Sequence, residues 1–242
     1  MQQIFIEQNT HCNETVILQQ QQSHHLLRVL RMKPKEQLRV IDAQGQVFLA
    51  EINEDETLTI LKSLQEEREV PCEITLLAAL IKGERWDWLL QKCTELGVSR
   101  IVPFESSRTV VHVEDKKADK KIQRWQKIVQ EACQQCKRTR IPTVHQPIDL
   151  KQADQWLSEQ NFIAYEDQAL KGGSLLSAMK PGKSITIVIG PEGGFSSAEV
   201  NQLLQQDYRC CSLGKRILRA ETAAVAAVCT AAAVLEETDH EF

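Results

Sequence analysis

The chain has 242 residues, 42% of them hydrophobic and 26% charged, with a formal net charge of −4. That is ordinary globular composition, with length enough for one large domain or two smaller ones that each bury a core. No apolar run approaches the roughly 18–20 residues that span a bilayer, and Met1–Glu7 lacks the basic segment and apolar core of a secretory signal, so a cytoplasmic location without membrane association is expected.

The first 70 or so residues read as short strands with one helix. Gln19–Ser23 precedes a helix whose Leu26, Leu27 and Leu30 sit at helical spacing. Gln37–Asp42 and Gln46–Glu51 are apolar runs flanking Ala43-Gln44-Gly45, a hairpin signal. Thr57–Leu61 is a third strand. The polar stretch Gln65–Pro71 ends in proline and marks a domain boundary, giving domains at 1–70 and 72–242.

Beyond it, strands and helices alternate. Glu73–Ala79 reads as a buried strand. A helix at about 84–97 follows, with Trp88, Leu89, Lys92, Cys93 and Leu96 along one side and Gly97 closing it. Arg100–Pro103 is a strand, 118–137 a basic helix, and Asn161–Tyr165, Ser184–Ile189 and Cys210–Leu213 are further strands. Residues 185–189 are apolar throughout, as in a strand buried on both faces of a parallel sheet. The alternation argues for an α/β domain with a largely parallel sheet.

The small net charge hides segregation. Residues 116–140 hold nine basic side chains (Lys116, Lys117, Lys120, Lys121, Arg124, Lys127, Lys137, Arg138, Arg140) against two acidic ones. Residues 28–39 hold five (Arg28, Arg31, Lys33, Lys35, Arg39) against Glu36. The rest of the chain carries −15. Local basic faces on an acidic body are what steer a polyanion; a solvated helix face is the alternative. Of eight cysteines, only Cys133 and Cys136 stand at metal or redox spacing. Neither a second such pair nor a spaced histidine pair accompanies them, so structural thiols are expected and no metal.

Chemistry concentrates near the end of the chain. The buried strand runs into Gly190-Pro191-Glu192-Gly193-Gly194-Phe195, and Ser196-Ser-Ala-Glu199 is a capping box opening a helix. Glycines between a strand's carboxyl end and a helix start let backbone groups approach a ligand closely, although such a turn also serves as a plain connection. Neither phosphate-loop pattern is present, and a buried Glu192 would repel phosphate, so an uncharged or cationic ligand suits the turn. A dinucleotide oxidoreductase is disfavoured on both grounds. A second loop carries Gly214, Lys215, Arg216 and Arg219 and leads into a helix from about Ala220, built almost wholly of Ala, Val and Thr. Such small side chains permit close approach to another helix or another subunit.

Four ordered blocks resemble the RsmE family of small-subunit rRNA uracil-N3 methyltransferases, within the SPOUT superfamily. They are Lys82-Gly83-x-Arg85-x-x-x-Leu89-x-x-Lys92-x-Thr94-Glu95-Leu96-Gly97; Arg124-Trp125-x-Lys127-Ile128; Ile189–Phe195; and Leu213-Gly214-x-x-Ile217-Leu218-Arg219-x-Glu221-Thr222-Ala223. The resemblance implies a PUA-like β-barrel that grips RNA, followed by an α/β domain whose trefoil knot holds S-adenosylmethionine. It implies a homodimer with the alanine-rich helix at or near the interface, acting on 16S rRNA in the 30S subunit. Carried over by position, the cofactor pocket is Ile189, Gly190, Glu192, Gly194, Leu213, Gly214, Ile217 and Leu218. Arg219 and Glu221 are the candidate catalytic pair, and Arg28, Arg31, Lys82, Arg108, Arg138 and Arg140 the candidate RNA contacts. Methylation of tRNA or of another base, and a non-catalytic RNA-binding role, are the rival readings. The chain departs from the family at Lys137, where glycine is usual.

Overall fold

The small strands and the hairpin form as read, within a computed structural model that describes residues 1–109, 115–165 and 173–237, with the side chains of 115–117 (Lys116 and Lys117 of the basic run among them) outside that description. The first compact unit comprises Met1–Glu69 together with Cys133–Arg140. Its elements are β1 (Gln3–Phe5), β2 (Thr15–Val16), α1 (Gln20–Ser23), β3 (Gln37–Ile41), β4 (Val47–Ile52) and β5 (Leu58–Leu64). The order β1-β3-β4-β5-β2 makes a five-stranded sheet, antiparallel except where β1 lies parallel to β3. Gly45 takes φ +80° in the β3–β4 turn, a left-handed conformation open to glycine at little cost. Alternate side chains Leu38, Val40, Phe48, Ala50, Ile52, Leu58 and Ile60 turn inward and pack with Ile4, Val16 and Leu26. The helix predicted around Leu26 departs from α geometry: His24–Val29 is a π-helix, in which Leu26 is buried.

The 133–140 segment, which the sequence assigns to the second domain, belongs to this unit for an electrostatic reason. The Glu69 carboxylate accepts hydrogen bonds from the Arg138 guanidinium (2.7 Å) and from the backbone N–H groups of Thr139 and Arg140 (2.7 and 2.9 Å). Gln3 Nε2 donates to the Arg138 carbonyl at 2.7 Å.

The second unit, Val70–Ala132 and the chain from Ile141 onward, is built on an all-parallel sheet. Its strands are β6 (Ile74–Ala79), β7 (Arg100–Glu105), β8 (Thr143–Val144), β9 (Ile148–Asp149), β10 (Gln160–Ala164), β11 (Ile185–Ile189) and β12 (Arg209–Cys211). The order is β12-β10-β11-β6-β7-β8, with β9 also beside β7. The late strand β11 therefore lies between two earlier ones, β6 and β10, and both β6 and β11 are buried along their whole length. Around it lie the helices α2 (Glu84–Glu95), α3 (Asp115–Cys136, whose last turn from Cys133 belongs to the first unit), α4 (Leu175–Ala178), α5 (Ser197–Gln205) and α6 (Ala220–Glu236), with a 3-10 helix at Leu150–Trp156.

On one face Trp86, Leu89, Leu90 and Cys93 of α2 and Ala224, Ala227, Val228 and Ala231 of α6 pack against Ile74, Leu76, Ile187 and Ile189. The tryptophan that α2 gives to this core is Trp86; Trp88, expected on the packed side, is 41% exposed. On the other face Val188, Phe104 and Phe195 pack with Val200 and Leu203 of α5. Among the described residues no helix is long and apolar enough to cross a membrane, and no group of three His, Cys, Asp or Glu side chains is placed to hold a metal.

Candidate active site

Both glycine-bearing loops leave the carboxyl ends of parallel strands, where open α/β sheets bind ligands. β11 ends at Ile189, and the chain turns at once: the Gly194 N–H donates to the Pro191 carbonyl at 2.9 Å, with Gly194 at φ +65°. Gly190 is fixed by packing, since a Cβ there would stand 2.9 Å from the Phe195 ring. That ring stacks on Phe104 of β7, centroids 6.3 Å apart and planes 10° apart. Ser196 then caps α5: its Oγ accepts from the Glu199 N–H, and Glu199 Oε2 accepts from the Ser196 N–H at 2.8 Å. The other Glu199 oxygen accepts from the Ser107 N–H at 2.8 Å. Burial pulls the Glu199 carboxyl up, but the backbone donors of Ser196 and Ser107 outweigh it and hold the group below its ordinary value.

Arg108 belongs to this fastening. Its guanidinium donates to the Gly193 carbonyl at 2.8 Å and more weakly to that of Phe195 at 3.4 Å, tying the loop after β7 to the turn. Arg108 is exposed all the same. Arg138 is different: it is 5% exposed, with its guanidinium held by Glu69, so burial corrects the RNA-contact role expected of it. Arg28, Arg31, Lys82 and Arg140 are exposed.

The second loop is less constrained. Ser212 Oγ accepts from the Gly214 N–H and donates to the Gly214 carbonyl, both at 3.0 Å. Gly214 sits at φ +121°, and a Cβ there would meet nothing within 4 Å. Leu213 and Leu218 are half-buried, while Ile217 is 84% exposed. Arg219 is the exposed N-cap of α6. Two residues on, Glu221 lies in the first turn, where a carboxylate favours the helix dipole, and is only 9% exposed.

The loops meet through a residue outside the expected site set. Arg85, in the first turn of α2, places Nη1 3.6 Å from Glu192 Oε1 and Nε 3.9 Å from Glu221 Oε1. Glu192 is exposed rather than buried, because water at the surface of the turn solvates its carboxylate. The cation facing Glu221 is thus Arg85 and not its sequence neighbour Arg219. The signal for Arg85 was its place in the Lys82-Gly83-x-Arg85 block, but no spacing rule links it to residues more than 100 positions away.

Comparisons with known proteins give the family. Residues 68–232 match a family model described as an RNA methyltransferase domain, and residues 18–61 match one described as an RNA methyltransferase PUA domain. The chain is similar to the ribosomal RNA small subunit methyltransferase E of Bacillus subtilis, 36% identical with 92% of this chain and 93% of that protein covered. It is 33% identical to the protein of that name from Synechocystis, covering 92% and 74%. The crystal structure of a ribosomal RNA small subunit methyltransferase E from Neisseria gonorrhoeae bound to S-adenosyl methionine superposes with a TM-score of 0.87 at 31% identity, covering 97% of this chain and 98% of that one. The chain belongs to the ribosomal RNA small subunit methyltransferase E family.

Proposed function

We propose that the protein transfers a methyl group from S-adenosylmethionine to N3 of a uridine in 16S rRNA, within the 30S subunit and as a homodimer. The observation that carries this reading is the convergence of the Gly190–Phe195 turn and the Leu213–Arg219 loop at one end of a parallel sheet, with Glu192 and Glu221 facing a common Arg85. The residues fit the cofactor. Gly194 and Gly214 leave open space where side chains would stand, and Glu221 Oε2 is buried with no hydrogen-bond partner among the described residues.

Ile189, Gly190, Glu192, Gly194, Leu213, Gly214, Ile217 and Leu218 would hold the cofactor, largely through backbone groups and the apolar side chains of the second loop. Bound there, it supplies an activated methyl, so the protein's work is alignment and handling of a proton. Uracil N3 is protonated at neutral pH and must lose that proton to attack; Glu221 is the carboxylate placed to take it. The N3 edge lies within a base pair, so the target base is presented unpaired or flipped. Residues 1–70 act as the PUA-like RNA grip and 72–242 as the methyltransferase domain with the trefoil threading of its family. Arg28, Arg31, Lys82, Arg108 and Arg140 are the proposed phosphate contacts.

Calorimetry with S-adenosylmethionine and mass spectrometry of 16S rRNA from a deletion strain test the reading. Micromolar binding and loss of one N3-methyluridine support it. A protein that binds RNA without binding the cofactor would be an assembly factor instead.

A further inference from the structure

The Arg85 guanidinium is geometrically odd for a structural ion pair. It is half exposed, and its two carboxylate contacts are 3.6 and 3.9 Å long, beyond hydrogen-bond distance. Exposed pairs contribute little to stability, so the contact of the guanidinium with exposed Glu192 does not anchor the fold. What it does instead is face two acids with different atoms, Nη1 to Glu192 after β11 and Nε to Glu221 at the start of α6. Gly83, at φ +56°, turns the chain leaving β6 into α2 and so sets Arg85 at the carboxyl end of the sheet.

Glu221 supplies the second observation. One of its oxygens faces Arg85, while the other, Oε2, is buried and has no hydrogen-bond partner among the described residues. A buried acceptor left unsatisfied is costly, a cost that a ligand donating a proton or hydrogen bond would offset. The terminal torsion of a glutamate is broad and two-fold, so either oxygen can be turned to that donor while the other stays with the cation.

We infer that Arg85 is a positioning residue for methyl transfer: it orients the Glu221 carboxylate as the acceptor of the uracil N3 proton, and it links that carboxylate to the cofactor turn through Glu192. The inference rests on the proposed uridine-N3 activity and deepens it. In the step, the N3–H bond breaks and its proton passes to a Glu221 oxygen. The freed N3 electron pair forms the bond to the methyl carbon, and the carbon–sulfur pair returns to sulfur. The site begins with carboxylate and sulfonium and ends with carboxylic acid and neutral thioether, so charge and protons balance without a further reactant.

The test uses the full-length protein with 30S particles lacking the modification, measuring kcat and KM for RNA together with the calorimetric Kd for S-adenosylmethionine. Arg85→Met is expected to lower kcat at least tenfold, with the cofactor Kd changed less than threefold and thermal stability retained. Arg85→Lys, which keeps the charge but has no second arm to reach both acids, is expected to restore part of kcat. The inference is overturned if Arg85→Met keeps kcat within twofold of the parent protein, if the loss appears wholly in the cofactor Kd, or if Lys rescues nothing. If the parent protein itself makes no N3-methyluridine, the proposed function fails, and that result is separate from any effect of Arg85.

Discussion

The two glycine-bearing loops differ in how much of the protein holds them. The Gly190–Phe195 turn is braced on every side: Phe195 stacks on Phe104, Arg108 grips the Gly193 carbonyl, and Glu199 joins the helix start to the loop after β7. The Leu213–Arg219 loop is held near its start by the Ser212–Gly214 bonds and at its end by the first turn of α6, where the Ala223 N–H donates to the Arg219 carbonyl at 2.8 Å. Between those points Ile217 projects into solvent. One loop is preorganised and the other adaptable. A site built this way has a fixed surface against which a ligand is placed and a second surface that gains contacts when the ligand arrives.

Substitutions on the two sides should therefore fail differently. The largest effect belongs where the loops meet. Glu221→Gln keeps shape and removes the proton acceptor, and since a positioned acid–base group contributes about 10²–10⁴-fold, single-turnover methylation should slow by at least ~10²-fold with cofactor binding nearly intact; an unchanged rate would remove Glu221 from the chemistry. Next comes the braced turn. Gly190→Ala places a Cβ 2.9 Å from Phe195; overpacking of this kind costs about 1–3 kcal/mol, so thermal unfolding and cofactor affinity should fall together. On the open loop they should separate. Ile217→Ser at an 84% exposed position should alter stability by no more than about 0.5 kcal/mol, while S-adenosylmethionine affinity drops about tenfold, ~1.4 kcal/mol. Equal losses in both quantities would mean that this loop is as braced as the first.

The smallest effect lies away from both loops, at the departure from the family. Lys137 stands at φ +69° just past the end of α3, and the Arg138 N–H closes onto the Cys133 carbonyl at 3.2 Å. This is the Schellman arrangement, in which glycine is favoured because it alone takes the left-handed conformation freely. The lysine adopts the same backbone, and its ammonium donates to the Gln134 carbonyl at 2.9 Å. Lys137→Gly should raise stability by about 0.5 kcal/mol, the relief of a left-handed side chain, about 1 kcal/mol or more, less the lost ammonium contact. Methylation should be unchanged; chemical denaturation beside the activity assay reads both. A large loss of stability would mean that the Lys137 ammonium outweighs the backbone preference.

Much of this could be read in the chain. Apolar runs such as Ile185–Ile189 encode a doubly buried strand because burial on both faces leaves no polar alternation, and Ser196 with Glu199 encodes a helix start because both capping partners lie within one turn. The alanine-rich helix was also legible, and of the two close approaches that its small side chains permit, the one to another helix is seen: Ala224, Ala227 and Ala231 let it lie close on β6, β11 and α2 within its own unit. Short pieces such as β1, β8 and β9 went unread, since two or three residues carry no period.

Local signals, which act over a few residues, thus determined the strands, the caps and the glycine turns, and with the ordered motif blocks they determined the family. Tertiary structure decided what depends on distance through space. It set β11 between β6 and β10, moved Arg138 from an RNA contact to a buried partner of Glu69, and made Arg108 a brace. It also brought Arg85 to Glu192 and Glu221, because side chains more than 100 residues apart meet only when the carboxyl ends of parallel strands are gathered at one edge of a sheet.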